Sequence, residues 1–131
     1  MKGKFLSYWL PVAAWCFIIF YLSGVPHLKT ELGAMDMVLR KLAHLTEYAV
    51  LFLLSRRAMA GTYPQAQPQP VFSAAIIFSI FYAATDEFHQ SFVPGRGPSV
   101  IDVGIDTAGV FAGFFIYRFL QLRKQNYESL A

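Results

Sequence analysis

The apolar residues of this chain fall into four long stretches, and all but the first carry polar residues at one edge. No charged residue occurs from Phe5 to Pro26. A helix needs about 20 mainly apolar residues to cross a bilayer, so the first stretch predicts a span over 5–24. Three further spans are predicted at about 37–54, 71–90 and 101–120, each close to bilayer length only when its polar end is counted. The expected architecture is all-α: one transmembrane domain over residues 1–131, with four helices. A soluble four-helix bundle is the bland alternative. The uncharged first stretch and runs such as FFIYRFL argue against it.

Composition agrees, with 56% hydrophobic residues and a mean hydropathy of +0.43. Lys2 and Lys4 resemble the basic start of a secretory signal, but the apolar part is too long and no small-x-small cleavage site follows, so a retained anchor is expected. Placement of the basic residues sets the orientation. Lys2, Lys4, Arg56, Arg57, Arg118, Arg123 and Lys124 fall on one side, and Lys29, Arg40, Lys41 and Arg96 on the other. The excess predicts both termini and the middle loop in the cytoplasm. The net charge of +3 is scattered, without a stripe or recognition motif, so anionic lipid headgroups are the expected partner and nucleic acid is not. Cys16, the only cysteine, cannot form an internal disulfide and reads as a small buried hydrophobe. Residues 61–70 read as a disordered Pro/Gln-rich linker, residues 24–35 as a short interfacial piece, and the tail from Gln121 as an extension of the last helix or a frayed end.

Three polar clusters stand out: Lys41, His44, Glu47 and Tyr48; then Asp86, Glu87 and Gln90; then Asp102 and Asp106. With four spans and both ends inside, the second and fourth helices start outside and the third ends there, so all three clusters meet at the extracytoplasmic end. Helical spacing aligns Lys41, His44 and Tyr48 with Glu47 at the margin. It makes a stripe of Ala75, Ser79, Tyr82, Asp86 and Gln90 with Glu87 beside it, and sets Asp102, Asp106, Gly109 and Gly113 on one flank. Gly109 and Gly113 form a GxxxG pair, read as packing the fourth helix against its own neighbours rather than as a homodimer seam; oligomeric state stays open.

Several chemistries fit this end. Ser99 and Asp102 have capping-box spacing and Asp36 is placed to cap the second helix, so two positive helix ends would face an anion. Arg96, held in the turn VPGRGPS, matches phosphate or carboxylate. Against a simple anion pocket stand five acids (Glu47, Asp86, Glu87, Asp102, Asp106) beside three bases (Arg40, Lys41, Arg96) and His44. Some must pair: Arg96 with Asp86 or Asp102, and Lys41 with Glu47 or Asp106. The bland reading is an ion-pair network that locks helices together. A divalent metal is another reading, with His44, Glu47, Asp86 and Asp106 as the leading ligands and Glu87 a further donor, although no full metal motif appears and no cofactor is predicted outright. Acid–base chemistry on a lipid-linked phosphate would use His44 near Glu47 and Asp86, with no nucleophile in evidence, so catalytic residues are not assigned. A small proton-coupled transporter is the last option, since intramembrane acids serve that role.

KLAHLTEY, DEFHQSFVPGR and DVGIDTAGVFAG, in this order on successive spans, resemble the VanZ-like family of small bacterial membrane proteins. The resemblance runs from about Trp15 to Gly113. It implies a multi-pass protein of the bacterial cytoplasmic membrane, in a family whose namesake is associated with resistance to teicoplanin, a glycopeptide acting on cell-wall precursors. Lys41, His44, Glu47, Tyr48, Asp86, Glu87, Gln90, Arg96, Asp102, Asp106 and Gly109 fall in the shared motifs. The reading favoured by the sequence is binding or modulation of an anionic envelope lipid or cell-wall precursor.

Overall fold

The computed structural model describes residues 2–26, 33–97 and 99–130. They form four helices in chain order: α1 (Lys2–Ser23), α2 (Ala34–Thr62), α3 (Pro68–Gln90) and α4 (Val100–Leu130). The all-α class follows from long apolar runs without strand-like alternation. Both α2 and α4 continue well past their apolar portions, because Arg56–Thr62 and Gln121–Leu130 hold no proline and are mostly good helix formers.

The stretch expected to be a disordered linker is much shorter than its Pro/Gln content implied. α2 runs to Thr62 and α3 begins at Pro68, so only residues 63–67 connect them. Pro68 sits at the first helical position, where its missing N–H costs nothing. Asp36 does not cap α2: Gly33 occupies that position, and Asp36 lies in the first turn paired with Arg40 at 3.0 Å. Most of the expected interfacial piece, residues 27–32, lies outside the described residues.

α1, α3 and α4 are long and apolar enough to cross a membrane. α2 is less apolar, because Arg40, Lys41, Glu47, Arg56 and Arg57 interrupt it, yet it is the central element. It packs against each of the other three helices, most extensively against α4, whereas α1 and α4 make no close backbone approach among the described residues. Its buried face holds Tyr48, Leu51, Phe52, Ser55 and Ala58, which meet Val12, Ile19, Phe72, Ala75, Ala83 and Val110. Outside that core the surface is apolar: Phe17, Tyr21, Ile77, Phe81, Phe88, Phe115 and Phe119 all point outward. A water-soluble bundle would not expose so continuous an aromatic surface. Lipid is its natural solvent.

Candidate functional site

Close approach of α2 and α4 sets the geometry. A Cβ on Gly109 would collide with the Leu45 carbonyl, and one on Gly113 would come within 2.7 Å of the Ala49 carbonyl. The two glycines thus bring the backbones together, as small residues do between membrane helices. One step before Leu45 stands His44, and three before Gly109 stands Asp106. The same register puts His44 Nδ1 3.0 Å from Asp106 Oδ1. Asp106 is fully buried and His44 is half-buried. The histidine's carboxylate partner is therefore Asp106, not Glu47 or Asp86 as the sequence suggested.

α3 adds Glu87, buried at 4% exposure. Its Oε2 accepts the backbone N–H of Ser99 at 3.0 Å, at the entrance to α4. Ser99 Oγ also accepts the Asp102 N–H at 3.4 Å, so the serine caps α4 as its spacing indicated. The other oxygens of the two acids, Glu87 Oε1 and Asp106 Oδ2, are buried without a hydrogen-bond partner among the described residues, as is the hydroxyl of the fully buried Tyr48. One ligand atom from each of His44, Glu87 and Asp106 lies within 4.8 Å of the others.

A second network runs beside this one. Ser23 at the end of α1 donates to Asp86 Oδ1 at 2.6 Å, and Gln90 Nε2 donates to Asp86 Oδ2 at 3.0 Å. Gln90 Oε1 accepts from Arg96 Nη1 at 3.2 Å. Arg96 also donates from Nη2 to the Leu22 carbonyl (3.2 Å) and from Nε to the Val25 carbonyl (3.3 Å). Gly95, at φ 79°, gives the turn the left-handed residue that presents Arg96. The expected Arg96–Asp86 and Arg96–Asp102 pairs do not form: Arg96 reaches Asp86 only through Gln90, because the carbonyls ending α1 take its other donors. Asp102 pairs instead with Lys41 at 3.7 Å, which replaces the pairs expected of Lys41 with Glu47 or Asp106.

The remaining expected residues sit at the margin. The carboxylate of Glu47 makes no hydrogen bond or ion pair with another described residue, while its backbone carbonyl accepts the Trp15 indole at 2.9 Å. Of the four leading metal ligands, His44 and Asp106 come together. Asp86 is engaged by Ser23 and Gln90, and Glu47 lies outside the group that Glu87 completes. His89, offset from the α3 stripe, stacks on Phe20 at 4.1 Å and lies 3.4 Å from Ser23.

Above the buried acids is a cavity of about 310 Å³, whose wall includes Arg40, Lys41, Gln90, Arg96, Ser99 and Asp102. Three cationic side chains and one acid therefore line it. Sequence reasoning missed Ser23 and the full use of Ser99. Ser23 was legible only as one hydroxyl near the end of an apolar run, a weak signal.

Four helices, three of them apolar enough to span, enclosing a polar cluster at one end, define a polytopic membrane protein. The chain belongs to the VanZ-like family: the family model described as VanZ/LLP1 matches residues 5–121. No curated protein and no solved structure matches it.

Proposed function

We propose that this chain crosses the bacterial cytoplasmic membrane four times, both termini inside, and binds the phosphate-bearing head of an anionic envelope lipid or cell-wall precursor at its extracytoplasmic end. α2 is the fourth span: the large side chains that its first half exposes, Met37, Val38, Leu39 and Leu42, are apolar, and its basic end at Arg56 and Arg57 stays cytoplasmic. The observation that carries the reading is the cavity where Arg40, Lys41 and Arg96 surround the N-terminal end of α4. Arg96 contributes the smaller share, because three of its five N–H groups are already used on Gln90, Leu22 and Val25. Lys41 is the more available cation, since its ion-pair partner among the described residues is the half-exposed Asp102. A role in glycopeptide resistance would follow if the bound molecule is a cell-wall precursor.

The test is native mass spectrometry of lipids retained after gentle extraction. Wild type should keep anionic over zwitterionic lipid. Lys41→Ala should lose most of it, and Lys41→Arg should keep it. Equal retention of both lipid classes by wild type would sink the proposal. A reporter inserted after Gln65 should read cytoplasmic; an external signal there would reverse the site's placement.

A second reading is an enzyme acting on the same lipid-linked phosphate. It is favoured by the His44–Asp106 pair beneath the cavity, a histidine oriented by a buried carboxylate. Turnover of a lipid pyrophosphate by purified protein, lost in His44→Ala, separates it from binding alone.

A further inference from the structure

We infer that His44, Glu87 and Asp106 form a binding site for one divalent first-row cation, Zn²⁺ or Mn²⁺. The three donors come from three different helices, and their ligand atoms lie within 4.8 Å of one another. The His44 Nδ1–Asp106 Oδ1 separation is 3.0 Å. Two donors on one ion at about 2.0–2.2 Å stand roughly 3.0–3.4 Å apart, so this edge needs almost no adjustment.

Two independent observations point to a ligand there. First, Glu87 and Asp106 are each more than nine-tenths buried, and each has one oxygen without a partner. The Ser99 N–H fixes Glu87 Oε2, and His44 faces Asp106 Oδ1. Glu87 Oε1 and Asp106 Oδ2 are left over. A carboxylate oriented through one oxygen and open at the other, as Glu87 is, is characteristic of a metal ligand with a supporting contact. Second, no lysine or arginine among the described residues answers these acids. Lys41 is with Asp102, Arg96 with Gln90 and two carbonyls, and among the described residues no lysine or arginine lies within ion-pair distance of Glu87 or Asp106. Two buried acids beside one histidine are an uncompensated arrangement, and a divalent cation is the chemistry that compensates it.

The donor set narrows the ion. One imidazole with two carboxylates suits Zn²⁺ and Mn²⁺. Ca²⁺ wants six or more oxygens, and copper(I) wants sulfur. Three protein ligands leave coordination positions open, the pattern of a metal that meets a substrate or water rather than a structural one. Ser99, which holds Glu87, also forms part of the cavity wall, so the ion would adjoin the proposed phosphate pocket. The site stands apart from the lipid reading, however, because none of its three protein ligands lines the cavity.

The experiment is metal analysis of the full chain in detergent after stripping with chelator and reloading with Zn²⁺ alone or Mn²⁺ alone. Wild type should hold close to one ion per chain. Glu87→Gln and Asp106→Asn should each weaken retention on the order of tenfold or more, while Glu47→Gln, outside the group, should match wild type. Cobalt(II) substitution should give visible absorption bands that shift in His44→Cys. A stripped and reloaded wild type holding no stoichiometric ion overturns the site even if every variant fails to fold. Loss in Glu47→Gln equal to that in Glu87→Gln overturns the ligand assignment. The lipid assay is read in parallel: Glu87→Gln should lose metal and keep anionic lipid, and Lys41→Ala should do the reverse.

Discussion

The two ends of this bundle both bury charge, and they deal with it in opposite ways. At the end where α2 finishes, the Arg56 guanidinium lies 3.9 Å over the ring of Tyr117 and 5.4 Å from that of Phe72. Trp9 closes the same end by donating to Thr62 Oγ1 at 2.8 Å. The cation there faces π-electrons, which need no counter-ion. At the other end Glu87 and Asp106 face a histidine and leave two oxygens unanswered. Rings cover the guanidinium of the first arrangement, whose Nε is left buried without a hydrogen-bond partner among the described residues. The second leaves an open oxygen on each of two buried acids, and no lysine or arginine among the described residues pairs with either. The difference marks the α2–α3–α4 polar end as the one built for something outside the chain.

The contrast depends on α2 and α4 staying at their close spacing, so the largest expected effect comes from widening it. A Cβ on Gly109 meets backbone, the Leu45 carbonyl, which cannot swing aside as a side chain would. Gly109→Leu should prevent a stable monodisperse protein, and Gly109→Ala should cost about 3 kcal/mol. Gly113→Ala, with a contact at 2.7 Å and a movable Phe52 ring beside it, should cost less, about 1–2 kcal/mol. Thermal unfolding in detergent checks the order. A Gly109→Ala protein as stable as wild type would mean that the glycines do not set the register that joins His44 to Asp106.

Next in size is Arg96. Two of its three donations tie the α3–α4 turn to the carbonyls of Leu22 and Val25 at the end of α1, and the third goes to the Gln90 side chain. Arg96→Lys keeps the charge but loses the planar fork, and should cost about 2 kcal/mol while loosening the end of α1. Hydrogen exchange at residues 20–25 should rise in that variant and stay unchanged at residues 50–58. Arg96→Lys indistinguishable from wild type in both regions would recast Arg96 as a ligand contact, the role that its sequence first suggests.

That reversal shows what the sequence could and could not convey. Four helices and the convergence of three clusters were readable, because apolar length and helical period are local properties of the chain. So was the capping role of Ser99, which depends on a spacing of three. The pairings were not. Whether Asp106 meets His44 or Lys41 depends on the depth at which α2 and α4 cross, and that depth is set by Gly109 against Leu45. The choice between Asp86 and Glu87 was equally hidden: adjacent residues on a helix point about 100° apart, and only the neighbours decide which meets α1 and which meets α4. Ser23 was nearly invisible, a single hydroxyl whose partner is 63 positions away.

A smaller effect of unusual sign tests whether the polar end is a lock or a site. If Glu87 serves mainly to hold helices together, removing its charge should weaken the fold. If it awaits a cation, the metal-free protein carries two buried acids that repel each other, and Glu87→Gln should raise its stability by about 1 kcal/mol. Gln can still accept the Ser99 N–H through its amide oxygen, so the cap on Glu87's side survives. Thermal unfolding after chelation reads the sign. Destabilisation in the chelated protein would assign the cluster to structure.

The least effect on stability belongs to Lys41, and that is why it separates folding from binding. Its ammonium lies 3.7 Å from Asp102 Oδ1, and both side chains are about two-fifths exposed. Pairs of this kind contribute between zero and about 1 kcal/mol, because water screens them and holding the long side chain costs entropy. Lys41→Ala should therefore unfold within about 0.5 kcal/mol of wild type, and Arg56→Ala, which strips a cation from two aromatic rings, should lose more. If Lys41 nevertheless governs retention of anionic lipid, its charge acts on a ligand rather than on the fold. The two ends would then differ in kind: at one the cation stabilises the bundle, and at the other it waits at the mouth of a cavity. Should Lys41→Ala destabilise the protein as much as Arg56→Ala, the ion pair with Asp102 would be a structural closure, and the polar end would be as self-contained as the aromatic one.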